Sequence, residues 1–287
     1  MNIIKNVLYF NYLKEKISHM KKTVFLYVSL LNFCCLLYGQ TNAFDEKSFF
    51  ENMKASYYSL QSTPAQNISV LLTNHSIESF AKQEWKNPEI FPLQLIWLSP
   101  DRLFLSQLGV PSLTDSSKEI YTTEVNNLKS QFMDILFDLK RFYFSDIYTN
   151  ISKNYKVVNK KDVVMVTFNT ITNSDTIRFE YFFGLNGLCL KINSYSPSKN
   201  LKVETIPHFN TSKTKWIIGS WEVKMYTENE INTGYFVDIN FKEKESILIP
   251  SEITLSVQRK TDIGKTFNEI LKFRNFLFDQ SLQYIEQ

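Results

Sequence analysis

The second half of the chain repeatedly alternates apolar and polar residues with a period of two. Ile177, Phe179, Tyr181 and Phe183 alternate with Thr176, Arg178 and Glu180; Tyr235, Val237, Ile239 and Phe241 alternate with Asp238, Asn240 and Lys242; Ile253, Leu255 and Val257 alternate with Thr254, Ser256 and Gln258. Successive strand residues point to opposite faces, so each run is a half-buried strand with one wet and one apolar side. After Ile177 to Phe183, Asn186-Gly187 supplies a reversal into Leu188, Leu190 and Ile192. Residues 155–168, 215–226 and 267–278 add further strands, and residues 173–175 and 229–234 are short polar turns. Parallel strands need crossovers of about a dozen residues or more, so these turns dictate antiparallel pairing.

The front of the chain is built differently. Phe49, Phe50, Met53, Tyr57 and Leu60 have the spacing of a helix with one apolar face, with Asp45 placed as its N-cap. Residues 68–85 fit either period; the β-branched and Leu-rich run Ile68 to Leu72 tips them to two successive strands. Residues 91–106 read as a hairpin turning at Ser99-Pro100-Asp101. Residues 118–144 are the clearest helix, with Val125, Leu128, Phe132, Ile135, Leu136, Leu139, Phe142 and Tyr143 at helical spacing. The expected class is α+β: one large, curved antiparallel sheet of some eight to eleven strands, a half-barrel, with an N-terminal helix and a long helix across its open side.

Residues 20–40 begin with Lys21 and Lys22, continue as an apolar stretch through Tyr38 and reach the small residue Gly39. That is the layout of a secretory signal peptide, too short and too interrupted by Ser29 and Asn32 for the ~20 apolar residues of a membrane span. Residues 1–43 are therefore expected to be a leader with an upstream start, and 44–287 a single domain. Cys34 follows the bulky Phe33, which disfavours lipidation of the Cys34-Cys35 pair. Five lysines and one acid fall within 1–43, so 27 basic and 28 acidic residues remain, and the net charge of +3 becomes −1. Nothing in that balance favours nucleic acid. Cys189 is the one cysteine beyond the leader, so an internal disulfide is not expected, and its place between Leu188 and Leu190 reads as a small buried hydrophobe.

Signals for catalysis are thin. Seven glycines are few for phosphate-cradling loops. His208 follows Pro207 in an expected loop and His75 stands in a polar stretch, with no pair at metal-ligand spacing, and no Gly-x-Ser-x-Gly elbow occurs. Asp134 and Asp138 lie four apart on the long helix and read as a wet stripe rather than an acid-base pair. Neither an enzyme nor a metal or cofactor site is expected.

The sheet's apolar face must be covered by side chains or by a ligand. Phe104, Phe179, Tyr181, Phe183, Trp221, Tyr235 and Phe241 are the candidate lining of an apolar cavity; each is also an ordinary core residue if helices close the sheet. The order of elements resembles the periplasmic lipoprotein-carrier (LolA-like) superfamily. The residues that carry the likeness are Trp97-Leu98-Ser99-Pro100-Asp101-Arg102-Leu103-Phe104-Leu105, the turn from Gly184 to Gly187, and Ile249-Pro250-Ser251-Glu252-Ile253. The resemblance implies a half-barrel that holds a lipid or an acylated protein. It also implies location in the periplasm or cell envelope of a Gram-negative bacterium, with transient contact to a membrane or an envelope protein. The alternative is a non-catalytic structural or interaction protein of the envelope with a fully packed interior.

Overall fold

In a computed structural model, residues 44–109, 112–172, 175–212, 214–228, 230–259 and 266–279 are described. The expected leader, with Cys34 and Cys35, lies outside the described residues. The order is α1 (Glu46–Ser56), β1 (Asn67–Asn74), α2 (His75–Glu84), β2 (Leu93–Leu98), β3 (Arg102–Gln107) and α3 (Asp115–Leu139). A π-helical turn, Lys140–Phe144, extends α3. Then come β4 (Lys156–Lys160), β5 (Val163–Ile171), β6 (Thr176–Gly184), β7 (Cys189–Ser196), β8 (Leu201–Ser212), β9 (Lys215–Thr227), β10 (Glu230–Lys244), β11 (Ile247–Arg259) and β12 (Phe267–Phe278).

All twelve strands join one antiparallel sheet in the order β3-β2-β1-β12-β11-β10-β9-β8-β7-β6-β5-β4. From β4 to β12 every strand pairs with its sequence neighbour, as short turns require. The chain's first hairpin, β2–β3, is joined to the far side through β1, which pairs with β12. Register shifts interrupt five of these ladders, among them Asn240/Phe241 between β10 and β11 and His208/Phe209 between β8 and β9. An extra residue on one strand sharpens local twist, and this is how a sheet of such width curls instead of lying flat. The fold is therefore α+β with an open, curved antiparallel sheet.

Several expectations need correction. The first helix ends at Ser56 rather than reaching Leu60, and residues 230–234 open β10 rather than forming a turn. Residues 75–84 form helix α2, not a second strand. Asn74 ends β1 and caps the helix: its Oδ1 accepts from the Ile77 amide at 2.9 Å, and its Nδ2 donates to Gln131 Oε1 at 3.1 Å. Residues 155–168 divide into β4 and β5 around the exposed turn at Lys161-Asp162. Residues 201–212, including His208, form β8 rather than a loop. The β7 ladder ends at Thr205, so Pro207 lies past it and faces a strand on one side only, an edge-like place where its missing N–H is tolerated.

Helix α1 is pinned to the β6–β7 hairpin. The Tyr57 hydroxyl donates to the Gly187 carbonyl at 3.0 Å and accepts from the Cys189 amide at 2.6 Å. Gly187 has φ of +86°, a conformation that favours glycine, and a Cβ there would stand a tight 3.2 Å from the Met53 Cβ. Replacing Asn74 by Ala removes a buried cap and the tie to α3. The expected loss is about 1–2 kcal/mol in urea unfolding, and a loss below about 0.3 kcal/mol would contradict this role for the cap.

Candidate functional site

Helix α3 crosses the concave face obliquely. Its N-terminal part packs on α2, where Tyr121 meets Phe80 and Trp85 with ring centroids 5.7 and 5.5 Å away. Midway, Phe132 meets Phe273 of β12 at 6.1 Å. The π turn then drives Phe142 against Trp221 and Phe209, both at 6.0 Å, and Tyr143 against Phe241 at 5.5 Å. This crossing divides the concave face into a filled half and an open half.

The filled half lies over β5 to β7. Phe179 stacks on Phe168 at 5.2 Å, Tyr181 contacts Phe168 at 5.3 Å and Phe183 at 6.0 Å, and Phe183 meets Phe49 of α1 at 6.1 Å. Between this cluster and α3 sits a buried ion pair: Arg141 Nη1 donates to Asp138 Oδ1 at 2.9 Å. The guanidinium lies 4.4 Å from the Phe137 ring centroid, 5.8 Å from Phe179 and 5.6 Å from Tyr181. A charge in such a place needs its partner, and the π faces add attraction. Burial pushes the Asp138 carboxyl above the usual carboxylate range, with the Arg141 charge opposing the shift. Asp138 is therefore no part of a wet stripe, whereas Asp134, one turn earlier, is exposed. Cys189 is buried beneath the same cluster, and burial raises its thiol pKa to about 12, so it is unionised and unreactive at neutral pH.

The open half is a groove of about 660 Å³ between α3 and strands β9 to β12. Met225, Leu255, Val257, Phe267 and the Tyr235 ring supply its apolar surface, while Asn127, Ser130, Gln131 and Asp134 of α3 line the opposite wall with Asn268 and Glu269 at the end. The Tyr235 hydroxyl donates to the Asp134 carbonyl at 3.3 Å, tying floor to wall. Its phenol is held protonated far above the ordinary range, first by burial and then by the charge of Asp138. Glu269 accepts from the His75 amide at 3.3 Å, and partial burial raises its carboxyl pKa. Phe137, 60% exposed, stands on the same side of α3 as Asp134.

The seven candidate lining residues are thus dispersed. Phe179, Tyr181 and Phe183 are together but covered by Phe49, Phe168 and Arg141. Trp221 lies beneath Phe142, and Phe241 is half-buried against Tyr143. Tyr235 alone of the seven lines the groove. Phe104 is on β3, away from the rest, and 42% exposed. Sequence reasoning passed over Met225, Leu255, Val257 and Phe267, although Leu255 and Val257 belong to one of its alternating runs. Among the described residues, no group of three or more His, Cys, Asp or Glu side chains is placed to hold a metal ion, and no helix is long and apolar enough to cross a membrane.

The chain matches no protein-family model, no curated protein and no solved structure.

The Asp138–Arg141 pair yields a stability prediction. Asp138→Ala strands a buried guanidinium and should cost about 3–5 kcal/mol, whereas Asp138→Leu with Arg141→Met should restore most of that loss. Chemical denaturation of the two variants checks it. A single variant within about 1 kcal/mol of wild type would mean that the buried guanidinium does not depend on Asp138.

Proposed function

We propose that this chain is an exported carrier or binding protein that holds a lipid or a lipoprotein acyl chain in the groove between α3 and β9 to β12. The observation that carries the reading is the groove itself. A sheet face this wide must be covered, and here α3 leaves part of it open over Met225, Leu255, Val257 and Phe267. Its volume of about 660 Å³ falls in the range of roughly 300–1,000 Å³ common to small-molecule sites. An apolar floor with a polar wall suits an amphiphile: a chain lies on the strands and its polar end meets Asn127, Gln131 or Asn268. Binding without catalysis accounts for the composition of this lining.

Export rests on the leader-like residues 20–40 and the likeness to periplasmic lipoprotein carriers on the segments around Pro100, Gly187 and Pro250. On that reading the protein works in the periplasm or cell envelope of a Gram-negative bacterium and meets a membrane or an acylated envelope protein transiently. One observation favours the second reading, a non-catalytic structural or interaction protein: over β5 to β7 the concave face is filled by the protein's own rings. The groove is what separates the two readings.

Native mass spectrometry of protein isolated without detergent should find one bound lipid or acyl species. Asn127→Trp, a change at an exposed α3 position, narrows the groove from above. It should reduce the bound fraction at least tenfold with an unaltered melting temperature. A ligand-free wild type, or equal loading of the variant, would favour the packed structural protein.

A further inference from the structure

An open sheet has two edges, and here they differ. The β4 edge reads Lys156-Val157-Val158-Asn159-Lys160, with Lys153 and Lys161 beside it. The β3 edge reads Arg102-Leu103-Phe104-Leu105-Ser106-Gln107. Unpaired strand edges template further pairing, and lysines are a common way of preventing it. The β4 edge is guarded in that way. The β3 edge has one cation at its end and an apolar run at its centre.

The register of β3 settles what could pair with it. Leu108 N donates to the Pro92 carbonyl at 2.8 Å. Antiparallel hydrogen bonding alternates along a strand, so residues 102, 104 and 106 direct N–H and C=O toward β2, while Leu103, Leu105 and Gln107 direct theirs outward, where no strand among the described residues pairs with them. Side chains alternate as well. Leu103 and Leu105 lie opposite the buried Trp97 and Leu95 on the concave side, and Phe104 lies beside Ile96 on the outer side.

We propose that the β3 edge is a homodimerisation surface, on which a second copy of this chain adds its own β3 antiparallel about Phe104. Two-fold pairing about Phe104 sets Leu103 opposite Leu105 of the second copy in both directions. Those are the residues whose backbone groups face outward, so the ladder closes with reciprocal hydrogen bonds. Phe104 then faces Phe104 across the axis as a non-hydrogen-bonded pair, the closer kind, with Cα atoms about 4.5 Å apart. Such aromatic pairs prefer edge or offset contact. Arg102 falls opposite Ser106, so no like charges oppose each other, and the contact is isologous, as closed dimers require. The same operation on β4, centred on Val158, would oppose Lys156 and Lys160, a repulsive arrangement. The chain is thus self-complementary at one edge and self-repelling at the other. A six-residue ladder buries little area, so the dimer is weak and concentration-dependent.

Sedimentation velocity from about 1 to about 200 µM should show a monomer–dimer equilibrium with Kd on the order of micromolar to tens of micromolar. Phe104→Lys sets two cations against each other at the axis and should leave a monomer throughout that range, with an unchanged circular dichroism spectrum and melting temperature. Disulfide trapping gives the register, in a Cys34→Ser, Cys35→Ser background that retains the buried Cys189. Phe104→Cys should cross-link to its own copy under a mild oxidant, and Ser106→Cys should do so at least tenfold less. A monomeric wild type, a dimer that survives Phe104→Lys, or equal trapping at 104 and 106 would overturn the proposal.

Discussion

A twelve-stranded antiparallel sheet that does not close on itself has an apolar concave face which helices must cover, and among the described residues the long one does so diagonally. Everything else follows from where α3 lies. Its path is fixed at three places: Tyr121 among Phe80 and Trp85, Phe132 on Phe273, and the π turn, which carries Phe142 and Tyr143 onto Trp221 and Phe241. The buried Asp138–Arg141 pair lies beside that last anchor, with its guanidinium among the rings of Phe137, Phe179 and Tyr181. The pair is internal to the helix, so what reaches the sheet is the guanidinium over Phe179 and Tyr181, and Asp138 neutralises the charge that is buried there.

The consequence is a concave face with two characters. Over β5 to β7 the rings of Phe49, Phe168, Phe179, Tyr181 and Phe183 interlock, so the protein's own side chains cover the sheet there. Over β9 to β12, α3 offers Asn127, Gln131 and Asp134 to the strands instead of apolar side chains, and the groove stays open. A helix facing an apolar sheet with amides and a carboxylate forgoes burial it could have had. Ligand occupancy would explain that choice.

The sheet was legible because alternation with period two is a direct record of a two-faced strand. Residues 177–183, 235–241 and 253–257 each form strands, and 118–144 is helical apart from its widened last turn. What escaped notice escaped for local reasons. Pro207 and His208 suggested a loop, yet Leu201, Val203 and Thr205 already alternated with charged neighbours, and only the end of the β7 ladder makes a proline acceptable there. Residues 75–84 misled because their apolar positions fit two periods, while the deciding signal was the capping Asn74. The site was less readable than the sheet. Alternation says that Phe179 and Tyr235 point to the same side of the sheet, but not which of them a helix covers. That depends on the diagonal of α3, a tertiary choice. The buried Asp138 was hidden similarly, although its place between Ile135 and Leu139 and its three-residue spacing from Arg141 are consistent with burial in an ion pair.

The central claim is that the groove over β9 to β12 receives an apolar chain while the face over β5 to β7 does not. Methyl-resolved NMR during titration with a long-chain alcohol tests it directly. Resonances of Leu255 and Val257 should shift and saturate, and those of Val164, Val166 and Ile192, buried on the filled side, should remain in place. Shifts in the second set, or no saturable change in the first, would contradict the account.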